Sequence, residues 1–242
     1  GCAIGARPVD LHLFGLEKLG AKLKLKDGYI NASVSGRLKG AKIKFPFASV
    51  GATENAILAA FNASGKTTLS NCAIEPEVKD LIKFLKLLGG RIKIVGRKIL
   101  ITGCKKINKK ITHEVIFDRI ELGTYMIAAA LVGKKIIFNK IDPKIIQNEI
   151  NILKKMGVKL KIQKSTIEIS KSNNIKKINL STKPYPGFPT DLQAQIMVLM
   201  TKANGISKIK ENIFEKRFMH VPELNRMGAK IKIVGNLSLI HI

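Results

Sequence analysis

Leu16-Glu17-Lys18-Leu19-Gly20-Ala21-Lys22-Leu23-Lys24-Leu25 decides the fold, because the chain writes the same pattern four times. It returns as Leu85-Lys86-Leu87-Leu88-Gly89-Gly90-Arg91-Ile92-Lys93-Ile94, as Leu153-Lys154-Lys155-Met156-Gly157-Val158-Lys159-Leu160-Lys161-Ile162, and as Leu224-Asn225-Arg226-Met227-Gly228-Ala229-Lys230-Ile231-Lys232-Ile233. The glycines at 20, 89, 157 and 228 set a period of about 70 residues. Each copy predicts a helix that stops at a glycine able to adopt the left-handed conformation, then a strand of alternating polarity. Asp27-Gly28, Gly96 and Gly235-Asn236 predict the turns into a second strand. Pro8, Pro76, Pro143 and Pro222 are placed to open the helices.

Between these copies recurs a helix rich in small residues, followed by glycine and a strand. It spans Ala52 to Ala63 with Gly65, Gly123 to Val132 with Gly133, and Thr190 to Ala203 with Gly205. The unit therefore reads helix, strand, helix, strand, strand, and about three and a half units are present. Met126 to Ala130 and Ile196 to Met200 are apolar nearly all round, the pattern of helices buried between layers.

With 242 residues and 45% hydrophobic content, the chain can bury a large core, as one large domain or two modest ones. Its longest apolar run, Tyr125 to Val132, is too short to span a bilayer, so no membrane association is expected. The start at Gly1 and the apolar end at Leu237 to Ile242 suggest an internal fragment. A formal charge of +26 raises nucleic-acid binding as a class. Most of the cations are lysines alternating with Ile or Leu, however, which predicts solvated faces of half-buried strands and no nucleic-acid partner. Cys2, Cys72 and Cys104 lie far apart without a CxxC pair, which argues against a zinc site or disulfide framework and for a reducing, cytoplasmic setting.

Three stretches carry candidate chemistry. Cys2 lies in a glycine-containing loop with Arg7 five residues on, and a nearby guanidinium favours a thiolate and can grip a phosphate. Ser49-Val50-Gly51-Ala52-Thr53 precedes a helix whose first N–H groups can face an anion, although an ordinary N-cap explains the same residues. Asp191 opens another helix, where either a working carboxylate or a dipole-stabilising acid fits.

Taken together, these stretches resemble the UDP-N-acetylglucosamine 1-carboxyvinyltransferase family. Gly1 to His12 is similar to its reactive-cysteine loop, and Ser49 to Thr53 to its diphosphate-binding motif. Pro186 to Gln195 resembles its Phe-Pro-Thr-Asp-Met-Gln-Ala-Gln motif, with Leu192 in place of Met, and Ile213 to Leu224 resembles a further signature. The resemblance implies that Cys2 protonates the methylene carbon of phosphoenolpyruvate, and that Asp191 binds the sugar hydroxyl and accepts its proton. It further implies that Arg7 contacts phosphate and that Arg7, Pro8, Val9, Asp10 and Leu11 contribute to the UDP-sugar site. Ser49, Val50 and Gly51 would bind the diphosphate, Ile213 would touch the nucleotide, Arg217 would supply a nearby cation, and His220 would be a structural donor. Phe47 stands where some members carry Lys, leaving backbone contacts at that point. Phe117 to Thr124 resembles the passage between domains, with its acids and bases expected to pair.

The implied fold is α/β (α+β), an inside-out α/β barrel of the enolpyruvyl transferase type built from repeated βαβαββ units in two domains. Residues 1–115 would be the C-terminal part of the first domain and 116–242 the first part of the second. The implied substrates are UDP-N-acetylglucosamine and phosphoenolpyruvate, with no metal or organic cofactor. The shikimate-pathway enolpyruvyl transferase is the sister reading; a basic nucleic-acid-binding module and an inactive remnant are the alternatives.

Overall fold

The computed structural model describes residues 8–104, 107 and 110–241, and these form two compact units that divide between Ile116 and Phe117. The first unit contains α1 (Asp10–Lys18), β1 (Lys22–Lys26), β2 (Tyr29–Ser33), β3 (Lys42–Lys44), α2 (Val50–Asn62), β4 (Lys66–Ser70), α3 (Pro76–Leu87), β5 (Arg91–Val95) and β6 (Lys98–Thr102). The second opens with α4 (Arg119–Val132), β7 (Ile136–Phe138), α5 (Gln147–Lys155), β8 (Lys159–Gln163) and β9 (Thr166–Ser170). It continues through β10 (Ile175–Lys176), β11 (Asn179–Ser181), a 3-10 turn at Thr190–Leu192 and α6 (Gln193–Met200). Last come β12 (Ala203–Asn204), β13 (Ser207–Lys210), α7 (Val221–Arg226), β14 (Lys230–Val234) and β15 (Leu237–His241).

All four repeat glycines sit in the left-handed region, with φ of 95°, 100°, 82° and 95°. Each closes its helix with the same pair of hydrogen bonds. Gly20 N–H donates to Glu17 O at 2.9 Å and Ala21 N–H to Leu16 O at 3.0 Å, and the pattern recurs at Gly89, Gly157 and Gly228. The chain then enters a hairpin with a two-residue loop. In the first of these, Asp27 and Gly28 have φ of 52° and 77°, the combination that matches strand twist.

The sheets repeat as well. Their strand orders are β3-β4-β6-β5, β7-β9-β8 and β11-β13-β15-β14. In each, the second strand of the hairpin pairs antiparallel with the strand that precedes the second helix. Two units also have a parallel leading strand, β3 beside β4 and β11 beside β13, which completes the βαβαββ order. Helical periodicity misses these leading strands because each is only three residues long. Each unit has its own core: α2 and α3 bury Ile57, Phe61 and Ile82 with Leu69, Ile99 and Ile101, while α4, α5 and α6 bury Met126, Ile150 and Ile196 with Ile167 and Ile169.

Three local expectations need correction. Pro76 and Pro222 lie in the first turns of α3 and α7, but Pro143 stands four residues ahead of α5. There the Asp142 carboxylate accepts the Lys144 N–H at 3.0 Å, so a turn forms before the helix starts. Pro8 likewise precedes α1 by two residues. The half-buried strand pattern holds at Ile92 and Ile231, but among the described strands β1 and β2 pair only with each other, and Leu25 is 78% and Tyr29 74% exposed. Among the described residues, no helix is long and apolar enough to cross a membrane.

At Gly123 of α4 an added methyl group would run into the buried Leu192 side chain. Gly123→Ala should therefore lower stability by about 1–3 kcal/mol despite the better helix propensity of alanine, read as a reduced urea midpoint.

Candidate active site

In the first unit the approach to α2 is pinned before the helix begins. Phe45 N–H donates to Ser70 O at 3.0 Å, and Asn71, at φ 58°, donates from Nδ2 to Phe45 O (3.0 Å) and Pro46 O (3.2 Å). Ser49 then caps the helix in an extended conformation, its Oγ accepting the Ala52 N–H at 3.4 Å. Helix geometry leaves the amides of Val50 and Gly51 without an intrahelical acceptor, at the positive end of the α2 dipole.

The start of α1 lies beside this end of α2. His12 of α1 accepts from Asn55 Nδ2 at 3.2 Å, and its ring lies over Gly51, where an added Cβ would sit 3.1 Å from Cε1. Pro8, Val9 and Asp10 are exposed at the head of α1. The Leu11 side chain is instead packed in the core, so Leu11 has only its backbone to offer a ligand. Phe47 is 60% exposed in the turn before Ser49. Cys2 and Arg7 lie outside the described residues.

In the second unit, Pro189 leads into the 3-10 turn that carries Asp191. The Asp191 carboxylate is half exposed, and Arg217 donates to it from Nη2 at 2.6 Å. The same guanidinium lies 5.2 Å from the centre of the Phe214 ring. A cavity of about 460 Å³ opens beside Arg217, lined by Phe214, Lys216, Met219, Ile233 and Asn236 among others. Ile213 is half buried in the loop that forms one wall of this region. The structure thus gathers Asp191, Ile213 and Arg217 within one unit, and Val9, Asp10, Ser49, Val50 and Gly51 within the other.

His220 faces Met197 Sδ at 3.3 Å. Burial, and then the Arg217 charge, push its pKa below the ordinary histidine value, which disfavours the imidazolium. Burial pushes the Cys72 thiol up to about 12, so it is an inert core residue. Cys72 and Cys104 are both free, and no cluster of three or more metal-ligating side chains occurs among the described residues. Of the acids and bases of the 117–124 stretch, expected to pair, Arg119 meets a carboxylate from outside the stretch and Asp118 turns to the backbone. Asp118 caps α4, accepting from Ile120 N (2.8 Å) and Glu121 N (3.1 Å), while Arg119 approaches Glu149 of α5 at 3.8 Å.

Two residues with clear roles in these clusters escaped the sequence reading. His12 ties the heads of α1 and α2 together across 43 residues of chain, and Glu211 collects four hydrogen bonds in the core beneath Asp191. His12 closes the Gly1 to His12 segment without a role of its own in that motif, and the only signal at Glu211 was an acid in an otherwise Lys-rich strand end.

A family model described as EPSP synthase (3-phosphoshikimate 1-carboxyvinyltransferase) matches residues 1–241. The chain belongs to that family. Among curated relatives, it is 59% identical over its whole length to the UDP-N-acetylglucosamine 1-carboxyvinyltransferase of Pelagibacter ubique, covering 58% of that protein. The proteins of the same name from Rickettsia akari and Granulibacter bethesdensis are 50% and 47% identical over the whole chain, covering 58% and 57% of their lengths. The chain therefore spans somewhat more than half the length of the curated relatives it matches. Among solved structures, the enolpyruvyl transferase NikO from Streptomyces tendae superposes with a TM-score of 0.87 at 22% identity, covering 98% of this chain and 58% of that one. EPSP synthase from Acinetobacter baumannii superposes at 0.68 and 20%, covering 100% and 58%. These likenesses establish the mixed α/β enolpyruvyl transferase fold for this family member.

The His220 environment has a pH consequence. Protonation is less favourable in the folded chain than in the unfolded one, so stability is fullest above the ordinary value of 6.5 and falls as pH drops below it. Between about pH 7.5 and 5.5, the urea midpoint should fall further in the parent than in His220→Gln, measured by circular dichroism.

Proposed function

We propose that the chain is the central part of a UDP-N-acetylglucosamine 1-carboxyvinyltransferase. In this reading residues 1–115 close the first domain and 116–242 open the second. The observation that carries it is 47–59% identity, over all 242 residues, to proteins of that name from three bacteria. EPSP synthase from Acinetobacter baumannii is only 20% identical, which favours the nucleotide-sugar activity over the shikimate one. A cytoplasmic setting suits the two phosphorylated substrates.

The chemistry assigned to the residues follows from their types. The amides of Val50 and Gly51 and the Ser49 cap receive the diphosphate, where partial positive charge already resides. Val9 and Asp10 border that site from the head of α1, with Pro8 stiffening the approach, and Arg7 contacts phosphate. Ile213 packs against the nucleotide. Asp191 takes the proton from the sugar 3′-hydroxyl as its oxygen attacks C2 of phosphoenolpyruvate, while Cys2 delivers a proton to C3. The resulting tetrahedral ketal then loses phosphate from C2 and a proton from C3, which restores the double bond. Arg217 holds the Asp191 carboxylate in place until the sugar hydroxyl arrives.

In the full-length protein, phosphate release should require both phosphoenolpyruvate and UDP-N-acetylglucosamine, and Asp191→Asn should slow it by about 10²–10⁴. An epoxide mimic of phosphoenolpyruvate should modify Cys2 alone, and substrate should block the reaction, as read by mass spectrometry. Release that depends on 3-phosphoshikimate in place of the sugar nucleotide would transfer the reading to the sister activity. Residues 1–242 alone should release no phosphate.

Gly51→Ala places its methyl against the His12 ring. We expect it to weaken UDP-N-acetylglucosamine binding by about 1–2 kcal/mol, roughly tenfold, in titration calorimetry.

A further inference from the structure

Glu211 is a carboxylate sunk into the second unit, with 3% of its surface exposed. Its backbone is fixed from both sides by the β14–β15 turn, since Glu211 N–H donates to Asn236 O at 2.9 Å and Asn236 Nδ2 donates to Glu211 O at 3.0 Å. Its side chain accepts four hydrogen bonds. Oε1 takes Thr182 Oγ1 (2.8 Å), Ile213 N (2.8 Å) and Phe214 N (3.2 Å), and Oε2 takes Thr190 Oγ1 (3.0 Å). Burying a carboxylate is costly, and a neutral side chain of similar size would satisfy most of a purely structural need.

What these bonds join is more informative than their number. Thr190 is the residue before Asp191. Ile213 and Phe214 belong to the loop that leads to Arg217, and the Phe214 ring lies 5.2 Å from the Arg217 guanidinium that grips Asp191. The contacts close a ring: Asp191 to Arg217, Arg217 to Phe214, Phe214 to Glu211, Glu211 to Thr190, and Thr190 by the chain to Asp191. Glu211 is the least exposed member of this ring, and both its backbone N–H and its carbonyl are held by Asn236.

We infer that Glu211 is a positioning residue, which through Thr190 aims the Asp191 carboxylate and through Ile213 and Phe214 sets the loop that leads to Arg217. This inference rests on the proposed reaction. Oε2 serves the base and Oε1 serves the loop, so the two halves of the carboxylate act on different kinetic constants. Thr190→Val severs only the Oε2 branch. Glu211→Gln keeps the shape but replaces charge-assisted bonds with neutral ones on both branches.

In the full-length protein, Thr190→Val should lower kcat for phosphate release at least about tenfold, while KM for UDP-N-acetylglucosamine moves less than about threefold. Thr190→Ser, which restores the hydroxyl, should recover most of that loss. Glu211→Gln should lower kcat and also raise KM by about fivefold or more. A merely structural role predicts lower melting temperatures with kcat unmoved. A folded Thr190→Val with kcat within about twofold of the parent overturns the inference. Should Thr190→Val fail to fold, Glu211→Gln decides alone, and an unchanged kcat and KM overturns it. If the parent releases no phosphate with these substrates, the functional reading has failed instead. The clamp is then read from amide hydrogen exchange at Ile213 and Phe214, which Glu211→Gln should accelerate at least about threefold. Unchanged exchange overturns it.

Discussion

Gly20, Gly89, Gly157 and Gly228 each hold a backbone conformation that costs any residue with a Cβ about 1–2 kcal/mol, and the order of both units follows from that constraint. Each stops a helix at a defined carbonyl, reverses the chain, and starts a strand two residues later. Were the stop to slide by one residue, the strand behind it would exchange its buried and solvated faces, because side chains alternate along it. Ile92 and Ile231 are buried, with lysines and an arginine outside them, because the stop does not slide. The hairpin register, and through it the pairing to β4, β7 and β13, is inherited from the same point.

The repeated unit also dictates where chemistry can reside. In the two units with a parallel leading strand, the chain leaves β3 or β11 and enters a helix or 3-10 turn, and the candidate residues stand at that entry: Ser49 to Gly51 after β3, and Asp191 after β11. Ends of parallel strands that feed helix N-termini are natural ligand sites, because unpaired amides and small side chains converge there. Asp118 occupies the corresponding helix entry at α4 but spends its carboxylate on capping. One geometric position thus takes three forms: helix amides behind a serine cap, a half-exposed carboxylate and a plain cap.

Much of this was legible in the sequence, and the boundary of legibility is physical. Glycines at left-handed positions, the two-residue hairpin loop at Asp27-Gly28 and the apolar helices around Met126 and Ile196 depend on residues within a few positions of one another. The recurring motifs likewise marked the enolpyruvyl transferase fold and family. What stayed hidden depends on contacts across long stretches of chain. Glu211 meets Thr182 and Thr190 from 29 and 21 residues away, and His12 reaches Asn55 across 43. Leu11 belongs to a segment that reads as ligand-facing, yet helix phase turns its side chain into the core. Pro143 looks like a helix opener, yet the neighbouring Asp142 spends the first turn on a bend.

The β1–β2 hairpin pairs with no other described strand, and it carries Leu25, Tyr29 and Ile30 on its surface. Lys22, Lys24 and Lys26 occupy every second position of β1 and so share one face of the hairpin, with Leu23 and Leu25 on the other. The lysine enrichment that first suggested a polyanion partner is here the product of strand alternation, and the repulsion it sets up among neighbours along that face fades as salt shortens the reach of charge.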